Sequence, residues 1–288
     1  MKNISLFLVL ALVATACNKY KIISRKNGLE TPNVFGAAFG VHGYAKAKKK
    51  FGEYIIFGVV PNGGVLIRAA ADAHNSKFSS SSLTAAFMPD KTQRSNRIDA
   101  GDFFINGEKF EFQEIAYMPS NLNEKEGIEF AKNLFGQEVS IFLEQAGKTV
   151  VSSDFRAPVL LTQFDVLNSS LVSPSVDVKW ISIEEDVTIN WNADSLNKNG
   201  LVLTLTSQGD KYNARKPGPI ETQYEAAFIE DDDGEYIIPN SFFRNLTKDQ
   251  LINLTLYRGK FDYIKDDGQG HDYKFYALSE ISGYFAVR

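Results

Sequence analysis

Apolar and polar residues alternate with a period of two over several short runs of this chain. Residues 187–192 (VTINWN) alternate without error, as do 201–206 (LVLTLT) and 252–257 (INLTLY). Such alternation over five to six residues marks a strand with one buried face. Turn signals punctuate the runs. Asn62-Gly63-Gly64 separates YIIFGVV from VLIRAAA, Asn106-Gly107 separates DFFI from EKFEFQEI, and Asp233-Gly234 separates AAFIE from EYII. Asn-Gly and Asp-Gly tolerate positive φ at both positions, so each pair predicts a hairpin.

Helical signal is scarce. Asn123 with Glu126 three positions on forms a capping box, Gly136 is a stop, and Ile128, Ala131 and Phe135 share one face. One helix of about 12 residues is predicted there. Thr247-Lys248-Asp249-Gln250 is a second capping box, predicting one or two further turns. Short strands, tight turns and little helix predict an all-β, mainly antiparallel protein of two β-sandwich, immunoglobulin-like modules, with the helix in the first. The pattern breaks at Phe155-Arg156-Ala157-Pro158, which divides an N-terminal β-rich domain (35–157) from a C-terminal sandwich (158–288). The second module is likened to immunoglobulin or fibronectin folds by Trp191 on an alternating strand, a hairpin and a closing strand over 281–287.

Residues 1–17 read MKNISLFLVLALVATAC, with Lys2 ahead of an apolar stretch broken only by Ser5 and Thr15. That stretch is shorter than the roughly 20 residues a bilayer core of about 30 Å requires, so it predicts an export signal over 1–16. The ending Ala14-Thr15-Ala16-Cys17 resembles the lipobox of bacterial lipoproteins, with Ala14 where that family most often has Leu. The resemblance implies cleavage before Cys17, a diacylglyceryl thioether on its sulfur and acylation of its amine. Cys17 is the single cysteine of the chain. A lone thiol is a liability in an oxidising compartment, and acylation removes it. One acyl chain holds a protein only marginally at about 0.8 kcal/mol per buried CH₂, whereas two or three hold it firmly.

Residues 17–34 are polar, contain Gly and Pro, and read as a lipidated tether. Asn18, not Asp, follows the cysteine, and by the same resemblance this favours the outer membrane. The basic stretch Asn18-Lys19-Tyr20-Lys21 favours its periplasmic face over the cell surface.

Composition adds bounds. Of 288 residues, 44% are hydrophobic and 23% charged, an ordinary globular balance that excludes disordered and disulfide-dense classes. The net charge of −4 shows no basic excess, so no nucleic-acid partner is predicted.

Candidate chemistry is thin. His42, His74 and His271 have no spacing that puts two ligands on one element, and HExxH and CxxC are absent from the sequence. The Gly36–Gly43 run lacks the order of a phosphate loop, and no GxSxG elbow occurs. Acidic clusters stand at Glu184-Glu185-Asp186, Glu230-Asp231-Asp232-Asp233 and Asp266-Asp267. The second suits Ca²⁺ in ligand type but not in spacing, and reads first as a solvated hairpin tip. Lys46, Lys48, Lys49 and Lys50 form one basic run, read as a solvated loop. Aromatics crowd the C-terminal end, where Tyr257, Phe261, Tyr263, Tyr273, Phe275, Tyr276, Tyr284 and Phe285 offer stacking surfaces or core.

The expectation is therefore a lipid-anchored envelope protein that binds a protein or glycan, with no catalytic, metal or cofactor residues assigned. Two alternatives stand beside it. One is a glycan or ester hydrolase using Asp231, Asp233 or Asp266 as general acid and base; the other is a structural subunit of an envelope complex or surface fibre.

Overall fold

The computed structural model describes residues 63–73, 77–87, 98–113, 116–119, 124–173, 176–207, 224–244, 246–265 and 272–288. They form a mostly β, mainly antiparallel protein with one α-helix among them. The first half contributes β1 (Gly63–Asp72), β2 (Lys77–Phe87), β3 (Asp102–Ile105), β4 (Glu108–Gln113), β5 (Ala116–Pro119), α1 (Glu124–Asn133), β6 (Glu138–Gln145) and β7 (Lys148–Arg156). The second half contributes β8 (Phe164–Val166), β9 (Ser170–Ser173), β10 (Val176–Ile181), β11 (Val187–Trp191), β12 (Leu201–Ser207), β13 (Tyr224–Ile229), β14 (Glu235–Ile238), β15 (Leu251–Lys265) and β16 (Asp272–Val287).

Thirteen strands join one sheet, running β13-β12-β15-β16-β1-β2-β5-β4-β3-β6-β7, with β10 also on β16 and β9 on β10. The exceptions to antiparallel pairing are β1 and β10, which both lie parallel to β16. Laid flat, the eight strand spacings from β15 to β7 would cover about 38 Å. Instead β7 returns into contact with β15, so this part of the sheet curls around its own core. That core holds Val65 and Ile67 of β1, Phe103, Phe110, Tyr117 and Phe155, and Phe275 of β16.

Farther along the same inner face, Ala71 of β1 and Ile281, Phe285 and Val287 of β16 enter a second core. There the large sheet packs against a three-stranded one, β14-β11-β8. This is a two-layer β-sandwich arrangement, and β1 and β16 run through both cores.

Local rules hold in part. Asn106 (φ 49°) and Gly107 (φ 82°) close the β3–β4 hairpin as expected. The helix ends at Asn133, and Ala131 and Phe135 are buried against the first core's side of the chain. Asp233-Gly234, by contrast, does not close a hairpin: β13 pairs with β12 in the large sheet and β14 with β11 in the small one, so this turn is a crossover between layers. The Thr247 box builds no helix either. Gln250 Oε1 accepts from Thr247 N–H (3.1 Å), half of the expected box, but β15 starts at the next residue.

Candidate functional site

The acidic turn behind β13 is divided by burial. Asp231 and Asp233 are exposed, whereas Asp232 is 7% exposed and turns inward. On β15 the alternation Ile252, Leu254, Leu256 points into the sandwich, and Arg258 occupies the next position on that face with 0% exposure. A buried guanidinium needs a carboxylate, and Asp232 is opposite. The pair is bidentate: Arg258 Nε donates to Asp232 Oδ2 (2.6 Å) and Nη2 to Oδ1 (2.7 Å). Trp191 Nε1–H at the end of β11 donates to Oδ1 (2.8 Å), and Asn197 Nδ2 to Oδ2 (2.9 Å). Four donors thus occupy the four lone-pair positions of this carboxylate.

Two of the three remaining guanidinium hydrogens hold backbone. Nη1 donates to Val159 O (3.0 Å) and Nη2 to Asn192 O (2.6 Å). Both carbonyls lie between strands, where no ladder reaches them. Asn197 Nδ2 also donates to Gly200 O (3.0 Å). Gly200 sits at φ +69° with Ile229 O only 2.4 Å from where a Cβ would stand, so a side chain there would force this loop apart.

The connection from β7 to β8 is fastened to the same centre. Asp194 accepts from Val159 N–H (2.9 Å) and Leu196 N–H (3.2 Å) and lies 3.5 Å from Arg156 Nη1. Burial pushes the Asp194 carboxyl up, but the two amides and Arg156 outweigh it and hold it below the ordinary carboxylate value. Asn192 Oδ1 accepts from Thr162 and Gln163 N–H, its Nδ2 donates to Leu160 O (2.7 Å), and Ser279 Oγ accepts from Leu161 N–H (2.8 Å). Every polar side chain named here is used in holding backbone or its partner, and the centre is closed.

Chemistry at this centre would need an open lone pair facing a cleft, and the Asp232 oxygens are already taken by four donors. Among the described residues no group of three or more His, Cys, Asp and Glu is placed to hold a metal ion. A small recess beside the linker is lined by Ala69, Ala70, Ala71, Lys132, Leu160, Leu161 and Thr162, and it brings no acid–base pair together.

Other residues singled out by sequence are scattered. Asp186 Oδ1 accepts from Asn240 N–H (2.8 Å), and Glu184 pairs with Lys248 at 3.2 Å, both on the surface. Phe275 and Phe285 are core, while Tyr284 is 44% exposed. Tyr257 lies on the other face of β15, where burial pushes its hydroxyl up to about 12. Cys17, His42, His74, His271, Asp266, Asp267, the Gly36–Gly43 run and the lysines at 46, 48, 49 and 50 lie outside the described residues, as do the side chains of Phe261 and Tyr263.

The Arg258–Asp232 pair was not anticipated, although β15 carried its signal. An arginine at the core-facing position of an alternating strand requires a buried acceptor, and the acidic turn supplied one. Among the described residues no helix is long and apolar enough to cross a membrane. Comparison of the chain with protein-family models and with curated proteins finds no match.

Proposed function

We propose that this chain is a bacterial envelope lipoprotein, tethered through acyl chains on Cys17, whose strand-rich body binds a protein or glycan and does not catalyse. The observation that carries the reading is the position of the single cysteine, directly behind Ala14-Thr15-Ala16 and an apolar leader. The outer membrane, on its periplasmic face, is the location we assign from Asn18 and the basic residues after it. The body is read as two modules, 35–157 and 158–288, the second immunoglobulin-like; the facing of β14-β11-β8 against the large sheet supports a sandwich there. In this reading Asp232 serves the fold, its oxygens taken up by four donors, and the exposed Asp231 and Asp233 are surface groups.

The test is metabolic labelling with radioactive palmitate. The parent chain takes up label, and Cys17→Ser takes up none and keeps its leader. Equal labelling of the two overturns the anchor.

A further inference from the structure

The three-stranded sheet has one face in the sandwich core and one in solvent. Val166, Ile189 and Trp191 point inward, so their neighbours in sequence stand outside. Register places them in two rows. Asn190 lies opposite Asp165 of β8 and Glu235 of β14, and Thr188 lies opposite Ile237. Leu167 N–H donates to Thr188 O (3.0 Å), which extends the second row to Leu167. The rows are two residues apart along the strand, about 7 Å.

The first row carries two carboxylates and one carboxamide. Asp165 and Glu235 flank Asn190, whose Oδ1 is shielded from solvent and receives no hydrogen bond, the one buried side-chain atom so placed among the described residues. Gln163 Nε2 serves Asp165 (2.8 Å), and neither row carries Lys or Arg. The second row is aliphatic: Leu167 and Ile237 are each 55% exposed on either side of Thr188. Asp186 and Asp233, at the two ends of the outer face, are exposed too.

A row with two carboxylates and no Lys or Arg, beside an exposed aliphatic row, has a specific complement. We infer that this face docks an extended basic polypeptide segment of a partner protein, with Lys or Arg over Asp165, Asn190 and Glu235 and aliphatic side chains against Leu167 and Ile237. Charge complementarity selects this occupant. An anionic lipid surface would be repelled by these carboxylates, and a neutral glycan, whose hydroxyls can donate to them, would leave their charge uncompensated. The inference rests on the binding reading above and names the chemistry of its partner.

The test uses the full chain in detergent and a fluorescent synthetic peptide that alternates Arg or Lys with Leu, followed by anisotropy at low salt. Saturable one-to-one binding is expected. Asp165→Asn with Glu235→Gln weakens it by about tenfold, and Ile237→Ser weakens it severalfold. Glu185→Gln with Asp231→Asn removes equal charge elsewhere on the sandwich and leaves binding as in the parent. Equal weakening by that second pair would mean nonspecific charge attraction and would overturn the inference. So would displacement of the peptide by millimolar Ca²⁺ at constant ionic strength, or self-association of the chain that the Asp165/Glu235 variant abolishes. Palmitate labelling of the same preparation reports the anchor separately, so a labelled chain that ignores the peptide refutes this inference alone.

Discussion

The two cores are built from different materials. Around the first, the curled sheet satisfies its backbone through ladders and two-residue turns, and the interior is filled by rings. Phe87, Phe103 and Tyr117 meet edge to face with centroids 5.4–5.7 Å apart, and Phe110 joins Phe103 at 5.6 Å. The second core is apolar in its middle but ends against a polar centre in which Arg258, Asp232, Asp194 and Asn197 are all buried. The difference follows from connectivity. Neighbouring strands in a meander need little besides their own ladder, whereas crossovers between two layers leave carbonyls such as Val159 O and Asn192 O that only side chains can serve.

That contrast predicts where the molecule is most easily broken. Arg258→Met strands the Asp232 carboxylate and two carbonyls in the interior, and should cost about 3–5 kcal/mol in urea unfolding, more than any single polar change in the first half. Adding Asp232→Leu to it should recover part of the loss, because the unpaired charge is then gone. In the first core the corresponding change is Tyr117→Phe. It leaves Ala100 N–H without its acceptor (2.6 Å to Tyr117 Oη) and should cost about 1–3 kcal/mol while the ring packing stays. If Tyr117→Phe proved the costlier of the two, the division between a ring-packed core and a polar-fastened one would fail.

Much of this was legible. The run VTINWN became β11 with alternate residues buried, and LVLTLT became β12. On β12, however, both faces are covered, so Val202 and Thr204 are as buried as the leucines and alternation no longer reports exposure. The turn residues were legible locally and not globally. Asp233-Gly234 announces a reversal, but which sheet receives the next strand depends on Asp232 being drawn inward by Arg258, a contact 26 residues away in sequence. The parallel pairing of β1 with β16, Gly63 opposite Tyr273, joins the two ends of the described chain and leaves no local trace. The outer face of the small sheet was missed because its two rows come from three separate strands.

A smaller effect sharpens the comparison on the acid side. Asp194 is held below the ordinary value of 3.8, so its contribution is full at neutral pH and is lost as pH falls through its lower folded value. Asp194→Asn should therefore be less stable than the parent at pH 7, with the gap closing below that ordinary value in acid urea titrations. A gap that widens in acid would contradict the fastening role given to this carboxylate.

The proposed membrane address rests on the sulfur of Cys17, and intact mass spectrometry of native membrane fractions tests it directly. A chain that starts at residue 17 and carries a glyceride bearing two fatty acyl groups is the predicted result. A free thiol at that position, or a chain that still begins at Met1, would contradict it.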